Sequence, residues 1–281
     1  MFKILRKEQL NENTYLMKIE AKLASQNIRP GQFVIIMVDE KGERIPLTIS
    51  AFDKQEGSIT IVFQAIGAST IKLSKLNEGE MIAHLTGPLG TATELDGIRN
   101  ACVIGGGVGC AIALPEAKWL HDNGAHVDLI AGFRSKDIVM LEKEMTEAST
   151  DLYICTDDGS YGIKGFVTGV LSDLISKGRK YDCVIAIGPI PMMRAVSEVT
   201  RPFGIKTIVS LNPIMIDGTG MCGCCRVTVD GETKFACVDG PDFDAHKVDF
   251  NELIVRNAMY RSQEREAKDH VCRIYGGGSN G

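Results

Sequence analysis

The segment from residue 101 to residue 124, ACVIGGGVGCAIALPEAKWLHDNG, joins an apolar strand, a glycine turn and a helix without interruption. The apolar run before Gly105 is typical of a buried strand, and the apolar periodicity after Gly109 predicts a helix that ends at Gly124. The strand-like segments that follow are HVDLIAGF, DLYICTDD and YDCVIAIGP, and the helix-like segments among them are GFVTGVLSDLISKG and PMMRAVSEVTRPFG. Strands that alternate with helices predict a parallel sheet covered by helices.

The chain before this segment has a different pattern. It contains short stretches rich in β-branched residues, TYLMKIEAKL, QFVIIMV, SITIVFQAI and EMIAHLTG, separated by turn-forming residues. This pattern predicts a small antiparallel β-barrel over residues 1–97, followed by the α/β domain over residues 98–210. The expected fold class is therefore β followed by α/β.

The chain after residue 210 is expected to form two further parts. Residues 211–245 are rich in Cys and Gly, and RVTVDGETKFAC predicts a hairpin that turns at Asp230 and Gly231. Residues 246–281 are expected to form a polar C-terminal helix, over about 247–270, and a disordered tail, GGGSNG.

The composition argues against several classes of protein. The 281 residues are 44% hydrophobic, which is ample for more than one domain core. A net charge of -5 without a long basic run argues against nucleic-acid binding. The polar N-terminus does not resemble a signal peptide, and no apolar stretch approaches the roughly 20 residues that span a bilayer. Nine cysteines without an export signal favour a cytoplasmic location, where clustered thiols bind metals or act in redox chemistry rather than form disulfides.

The glycine turn after the first α/β strand is a candidate nucleotide site. Glycines let the backbone approach a pyrophosphate, and a helix N-terminus supplies N–H donors. The residues expected to contribute are Gly105, Gly107, Val108 and Gly109. Position 110 is Cys, so the match to G-x-G-x-x-G is incomplete, and a tight turn without a ligand is the alternative.

The ends of the other α/β strands add candidates, because parallel strands present ligand-binding residues at their carboxyl edge. The segments AGFRS, TDDGS and GPIPMM supply Arg134, Asp157, Asp158, Gly188 and Pro189. A carboxylate at a strand end can accept hydrogen bonds from a ribose 2′-OH, which favours NAD over NADP. Arg134 could instead hold a 2′-phosphate, and both aspartates could be turn caps.

Three stretches of the barrel region could contact a phosphate and an aromatic ring system. Arg44 could meet a phosphate and Thr48 could hydrogen-bond the edge of a flavin ring, although an arginine on a strand is more often a surface residue and Ser-Thr often caps a helix. The candidates come from ERIPLTIS, from FQAIGASTIKLS and from TGPLG: Arg44, Pro46, Leu47, Thr48, Ser50, Gly67, Ser69, Thr70, Gly87 and Pro88.

Four thiols are clustered late in the chain. DGTGMCGCC carries Cys222, Cys224 and Cys225, KFACVDGP carries Cys237, and Asp217 stands five residues before the first of them. The four cysteines could bind zinc, although the adjacent pair 224 and 225 is awkward for one tetrahedral site.

Taken in order, RIPLTIS, IGASTIKLS, GPLG and IGGGVGCAIALP resemble the ferredoxin–NADP reductase superfamily. The resemblance implies an FAD-binding barrel followed by a pyridine-nucleotide domain. The segment DGTGMCGCCRV…KFACVDGP resembles the electron-transfer subunits of dihydroorotate dehydrogenases. It is more similar still to the small subunits of NADH-dependent reduced ferredoxin:NADP oxidoreductases, also called sulfide dehydrogenases. These families imply FAD, NAD(H) and a [2Fe–2S] cluster.

The resemblance also implies the cluster ligands. The dihydroorotate-type pattern, C-x4-C-x2-C followed by a distant C, falls on Asp217, Cys222, Cys225 and Cys237. An aspartate would keep the anionic charge of the first ligand while replacing a soft donor by a hard one. Alternatively, Asp217 is a turn residue and Cys224 is the fourth ligand.

The sequence therefore predicts an electron-transfer flavoprotein subunit that acts between NAD(H) and a larger redox subunit carrying flavin and iron–sulfur clusters. The first alternative is the dihydroorotate dehydrogenase subunit, and the second is a zinc-stabilised nucleotide-binding regulator without redox activity.

Cys110 could line the nicotinamide pocket or only pack, and the histidines show no ligand spacing. The remaining expected core residues are Cys102, Cys155, Cys183 and Trp119.

Overall fold

The structure is a computed structural model that describes residues 1–276, with side chains described as far as Ile274. The expected disordered tail GGGSNG lies, apart from Gly276, outside the described residues. None of the described helices is long and apolar enough to cross a membrane.

The N-terminal part is a curled antiparallel sheet of seven strands, in the order β6-β1-β2-β5-β4-β3-β7. Its elements are β1 (Phe2–Gln9), β2 (Thr14–Glu20), α1 (Lys22–Asn27), β3 (Phe33–Met37), β4 (Arg44–Asp53), β5 (Ser58–Gln64), α2 (Ala68–Lys75), β6 (Met81–Ile82) and β7 (His84–Leu89). The two edge strands, β6 and β7, are consecutive in the chain and are joined through Ala83, whose N–H donates to Val38 O over 3.2 Å. This junction draws the two edges together, and the predicted antiparallel barrel is confirmed.

Strand β3 has two apolar faces. Val34 and Ile36 belong to the core inside the barrel. Phe33 and Ile35 point the other way and belong to a second core, shared with the α/β domain and the Cys-rich segment. Alternation along one strand thus fixes the barrel against the rest of the molecule.

The second part is a sheet with the strand order β11-β10-β9-β8-β12-β13-β16. Its elements up to residue 210 are β8 (Asn100–Gly106), α3 (Gly109–Asp122), β9 (His126–Phe133), α4 (Glu142–Glu147), β10 (Asp151–Thr156), β11 (Ile163–Lys164), α5 (Val167–Ser176), β12 (Cys183–Ile187), α6 (Ile190–Thr200) and β13 (Lys206–Ser210), with short 3-10 turns at Lys136–Ile138 and Arg201–Phe203. The first six strands in this order, β11-β10-β9-β8-β12-β13, are parallel to one another. The predicted α/β architecture is confirmed.

Helices cover both faces of this sheet. On one face Ala101 and Val103 of β8 pack with the core under α3 and α4. On the other face Cys102 and Ile104 pack with the core under α5 and α6. All the cysteines of this domain are buried, as expected for Cys102, Cys155 and Cys183, and Trp119 packs partly buried at the edge of the first core.

The Cys-rich segment is tied to the α/β sheet. It contains β14 (Arg226–Val229), β15 (Glu232–Phe235) and β16 (Asp242–Asp244). Strands β14 and β15 form the predicted hairpin, and Asp230 (φ 54°) and Gly231 (φ 76°) make its turn in the left-handed conformation that such turns need. Strand β16 pairs antiparallel with β13, so the sheet is mixed rather than wholly parallel.

The C-terminal region forms two helices, α7 (Phe250–Asn257) and α8 (Arg261–Gly276), where the sequence predicted one. Asp249 caps α7 because its carboxylate accepts from the N–H groups of the first turn. Phe250 and Leu253 are buried, so α7 is anchored to the core beside the Cys-rich segment.

Candidate functional site

The α/β sheet has a topological switch point beside β8. From β8 the chain adds β9 and β10 on one side and later β12 and β13 on the other. Gly105 at the end of β8 pairs with Ile187 at the end of β12, so the two following turns meet at the carboxyl edge. Ligands of such sheets bind in the crevice at this point.

The glycine turn is close-packed on one side and open on the other. A Cβ on Gly109 would lie 2.2 Å from Ile187 O, and a Cβ on Gly106 would lie 2.5 Å from the Met192 sulfur. A Cβ on Gly107, by contrast, would meet nothing within 4 Å. The open side exposes backbone at the start of α3, the 14-residue helix after Val108, which is the arrangement that a pyrophosphate needs.

The predicted residues at the neighbouring strand ends are grouped in two linked loops. The Asp158 N–H donates to Arg134 O over 3.3 Å, and the Lys136 N–H donates to Ser160 Oγ over 2.8 Å. Gly188 and Pro189 follow β12 on the other side of the switch point.

The two aspartates of the TDDGS turn differ in their environments. Asp158 Oδ1 accepts from both the N–H and the hydroxyl of Ser160, which lowers the pKa of Asp158 and makes it the turn cap. The exposed Asp157 carboxylate makes no hydrogen bond to any described residue. Asp157 is therefore the carboxylate available to a ligand.

Cys110 is fully buried beneath the glycine turn, and burial raises the pKa of its thiol. A Cβ on Gly105 would lie 2.9 Å from its sulfur, so Cys110 packs against the turn. Met192 at the start of α6 covers Gly106 and Gly188, a role that sequence patterns alone did not indicate.

Strand β4 carries most of the barrel candidates. Pro46, Leu47 and Thr48 are half-buried and pair with β3, whereas Ser50 is buried. The Ser50 hydroxyl donates to Ala111 O of α3 over 2.7 Å, so it holds the barrel to the α/β domain.

The N-terminus of α2 has the open N–H groups of a phosphate-binding site, but its Ser69 hydroxyl is already engaged. Thr70 Oγ1 accepts from the Gly67 N–H over 3.1 Å, and Gly67, which has no side chain to accept a hydrogen bond, leaves the first N–H groups of the helix open. The Ser69 hydroxyl, however, donates to Glu43 Oε2 over 2.6 Å and does not offer its proton to a ligand. Gly87 and Pro88 lie on β7, next to β3.

The Cys-rich loop contains a buried sulfur pair and an exposed thiol. Cys225 Sγ and Cys237 Sγ are 3.1 Å apart, and burial, with this contact, raises the pKa of Cys237 to about 12. Cys222 is exposed, and the backbone N–H groups of Cys224 and Asp217 lower the pKa of its thiol. Three of the predicted ligands thus form a buried sulfur pair and a separate exposed thiol, a donor set suited to iron.

Asp217 acts in this structure as the cap of the loop. Its Oδ2 accepts from Thr219 N over 2.9 Å, Thr219 Oγ1 over 2.5 Å and Met221 N over 3.2 Å. These bonds, led by those of Thr219, lower the pKa of Asp217 and keep it anionic. Its other oxygen accepts no hydrogen bond from the described residues, so a turn role and a ligand role are compatible. Cys224 is half-buried.

The loop is not arranged for a single metal ion. Among the described residues, no three ligand atoms of Asp217 and the four clustered cysteines lie within 4.8 Å of one another. Within residues 1–274, the side chains that do bring three such atoms this close are His126, Asp128 and Asp151. A binuclear cluster needs two separate pairs of ligands, whereas tetrahedral zinc needs four that converge. The zinc alternative is therefore disfavoured.

The group around His126 is an ion-pair network. Arg179 Nη2 bonds Asp151 Oδ2 over 2.7 Å, and Arg179 Nε lies 3.5 Å from Asp128 Oδ2. The guanidinium supplies the positive charge that a metal would bring. Sequence spacing did not indicate this group, because Asp151 reaches it from a neighbouring strand.

Two arginines contact the Cys-rich loop from outside. Arg44 donates to carbonyls at the start of the loop, and Arg256 of α7 donates to Cys224 O over 3.1 Å. A cleft of about 150 Å³ beside the loop is lined by Cys222, Cys224, Arg226 and Arg256, among others. A larger groove of about 590 Å³, between β11 and α5, contains none of the predicted cofactor residues.

Comparison with known proteins places this arrangement in a family. Residues 212–249 match the model of the iron-sulfur cluster binding domain of dihydroorotate dehydrogenase B. The chain is 43% identical over 273 residues to a dihydroorotate dehydrogenase B (NAD(+)) electron transfer subunit homolog of Thermotoga maritima, covering 97% of this chain and 96% of that protein. The chain belongs to the family of dihydroorotate dehydrogenase B electron-transfer subunits and their homologues. It is also 49% identical over 279 residues to an uncharacterised protein of Clostridium beijerinckii, covering 96% of this chain and 94% of that protein.

A solved structure extends the family relationship. The structure of an NADH-dependent reduced ferredoxin-NADP oxidoreductase, described in a study of flavin-based electron bifurcation, superimposes with a TM-score of 0.92 at 42% identity. The match covers 96% of this chain and 97% of that one. The predicted resemblance to the ferredoxin–NADP reductase superfamily is confirmed.

Proposed function

We propose that this protein is the electron-transfer subunit of a larger oxidoreductase and that it carries electrons between NAD(H) and a partner subunit. The observation that carries the proposal is the sulfur pair of Cys225 and Cys237, which lies in the same core as Phe33 and Ile35 on the outer face of the barrel. A thiol cluster, a flavin-type barrel and a nucleotide-type switch point are therefore joined in one molecule. The prediction of a flavin- and iron–sulfur-dependent oxidoreductase is confirmed by the family relationship.

When bound, FAD exchanges an electron pair with NAD(H) as a hydride, and the [2Fe–2S] cluster carries single electrons. The protein's part is to position these groups. No acid–base pair is required of it.

The proposed nucleotide site is the crevice at the switch point. Gly107, whose N–H donates to Gly132 O, leaves space for the pyrophosphate to approach the turn, and Val108 and Gly109 begin the helix that supplies N–H donors. Asp157 is proposed to contact the adenosine ribose, with Arg134 beside it. The proposed supporting residues are Gly105, Asp158, Gly188 and Pro189.

The proposed flavin site lies along β4 and at the start of α2. Thr48 is proposed to meet the edge of the flavin ring, with Pro46 and Leu47 beside it. Gly67, Ser69 and Thr70 are proposed to offer the helix N-terminus to the FAD pyrophosphate, with Gly87 and Pro88 on the adjacent strand β7. This assignment is supported by Gly67 at the N-cap, which has no side chain to occupy the first N–H groups of α2.

The proposed cluster ligands are two pairs. Cys225 and Cys237 already form one, and Asp217 and Cys222 are proposed as the other. The exposed thiol of Cys222 and the Asp217 oxygen that accepts no hydrogen bond from the described residues support the second pair. Cys224 is then a spare thiol.

We propose that the partner is a larger redox subunit with its own flavin and iron–sulfur clusters, and that both act in the cytoplasm. Apolar side chains around the loop support a docking subunit, since Met221, Ile216 and Val238 are 88%, 52% and 47% exposed. The relatives that are called electron-transfer subunits support it as well.

The test is a visible spectrum of the purified protein, followed by anaerobic addition of NADH. We expect flavin bands on a broad iron–sulfur absorption, and bleaching of both by NADH. A colourless protein that contains zinc after expression with iron and riboflavin would refute the proposal.

A second candidate function, within the same family, is the electron-transfer subunit of a dihydroorotate dehydrogenase. The match of residues 212–249 favours it, whereas Asp217 stands where that pattern has cysteine. Identification of the subunit that co-purifies from the native host distinguishes the two candidates.

Nucleotide choice gives a first prediction. We expect Asp157→Ser to raise the ratio of kcat/KM for NADPH to kcat/KM for NADH by about tenfold, roughly 1.4 kcal/mol, because a carboxylate facing the ribose repels a 2′-phosphate. The matched control is Asp158→Ser, whose carboxylate is taken up by Ser160. A ratio that moves only in the control, or only in Arg134→Ala, would contradict the role given to Asp157.

A further inference from the structure

The Cys-rich loop is held by side chains from two other parts of the chain. Arg44 Nε donates to Ile216 O over 3.0 Å, and its Nη2 donates to Asp217 O over 3.3 Å. Arg256 Nη2 donates to Cys224 O over 3.1 Å. Arg44 therefore holds the backbone at Asp217, the first proposed ligand. Arg256 holds the backbone at Cys224, between the proposed ligands Cys222 and Cys225.

The two arginines connect the loop to different supports. Arg44 is the first residue of β4, the strand that also carries Thr48. Arg256 lies on α7, which is anchored in the core by Phe250 and Leu253. A single strand thus joins the proposed flavin contact to the start of the cluster loop, and a helix anchored in the core by two buried side chains fixes the opposite side.

The chemistry of these contacts suits positioning. Carbonyls of a loop outside helices and sheets need donors, and a guanidinium presents several in a rigid planar fork. Hydrogen bonds from a charged donor are stronger than those between neutral groups. A positive charge beside a cluster also stabilises its reduced form, which carries one more negative charge, and so raises its potential.

We propose that Arg44 and Arg256 are positioning residues that fix the cluster loop against the flavin barrel and raise the reduction potential of the cluster. The proposal rests on the proposed function, in which the loop holds a [2Fe–2S] cluster. It differs from the phosphate role that the sequence predicted for Arg44, because in this structure two of the Arg44 donors already serve the loop.

The test compares Arg44→Gln and Arg256→Gln with the matched control Arg226→Gln. Arg226 lines the same cleft, but its side chain donates no hydrogen bond to the described residues. Its replacement removes the same charge near the cluster and no loop contact. The readouts are backbone amide hydrogen exchange over residues 216–225, the cluster midpoint potential from a titration followed by electron paramagnetic resonance, and the FAD content.

We expect amide exchange at Thr219 and Met221 to accelerate about tenfold in Arg44→Gln, because the loop capped by Asp217 loses its anchor. Arg256→Gln should accelerate exchange near Cys224, and both variants should lower the cluster potential more than the control does. Arg44→Lys and Arg256→Lys should restore most of the potential but not the protection, since lysine keeps the charge and loses the fork.

Two outcomes would overturn the proposal. One is unchanged exchange and potential in Arg44→Gln together with loss of FAD, which would make Arg44 a phosphate ligand. The other is an equal fall in potential in all three glutamine variants with no change in exchange, which would leave only a general charge effect. If the unmodified protein bound no iron, the proposed function would fail, and exchange measured on the metal-free chain would still decide whether the arginines hold the loop.

Discussion

The Asp217→Asn variant is expected to lose the iron–sulfur cluster, whereas Cys224→Ser should keep it. Asparagine retains an oxygen that can accept the Thr219 and Met221 N–H groups, so the turn should survive. It lacks the anionic oxygen that the ligand role proposed for Asp217 requires. The comparison therefore separates the turn role of Asp217 from its ligand role, which the larger change Asp217→Ala cannot do.

The remaining variants of this series follow from the two proposed ligand pairs. Cys222→Ser, Cys225→Ser and Cys237→Ser should each remove most of the iron. Asp217→Cys should keep the cluster with a shifted spectrum and potential, because a soft sulfur replaces a hard oxygen. The flavin should remain in all of these, since the barrel has a core of its own.

Iron and acid-labile sulfide per chain, and the electron paramagnetic resonance signal of the reduced protein, measure the outcome. Loss of the signal in Cys224→Ser but not in Asp217→Asn would show that four cysteines hold the cluster. In that case Asp217 is only the loop cap that its three hydrogen bonds make it.

The elements that could be predicted from the sequence are those whose causes are local. The strand, turn and helix around Gly105 to Gly109 follow from contiguous apolar periodicity and glycine, and the structure has β8 and α3 there. The hairpin at Asp230 and Gly231 follows from a two-residue turn signal. In each case neighbours in the chain are also neighbours in the fold.

The features that were missed depend on contacts between distant parts of the chain. Arg44 meets Asp217 across 173 positions, and no pattern near either residue indicates the pairing. Strand β16 is only three residues long and exists because β13 offers it an open edge. The break between α7 and α8 was hidden by a continuous polar pattern. Tertiary packing decided all three.

The second large effect concerns the close approach at the nucleotide turn. Gly109→Ala would place a Cβ 2.2 Å from Ile187 O and 3.0 Å from Gly188 Cα, and both are backbone atoms that cannot rotate away. The start of α3 would have to move from the end of β12, and the switch-point crevice would deform. We expect a loss of about 3 kcal/mol in the free energy of unfolding and at least a tenfold weaker NADH affinity. The melting midpoint should fall by roughly 6–12 °C.

The matched control for this prediction is Gly169→Ala. Gly169 lies inside α5, and a Cβ there would meet nothing within 4 Å. Alanine at this position should raise stability by about 0.5–1 kcal/mol, because it restricts the unfolded chain and favours the helix. Thermal unfolding followed by circular dichroism, with NADH titration on the same samples, tests both variants. The contrary result is a Gly109→Ala protein that melts and binds NADH like the unmodified chain. That result would mean that α3 and β12 are not in contact at this turn. The pyrophosphate site would then have to lie elsewhere on the carboxyl edge of the sheet.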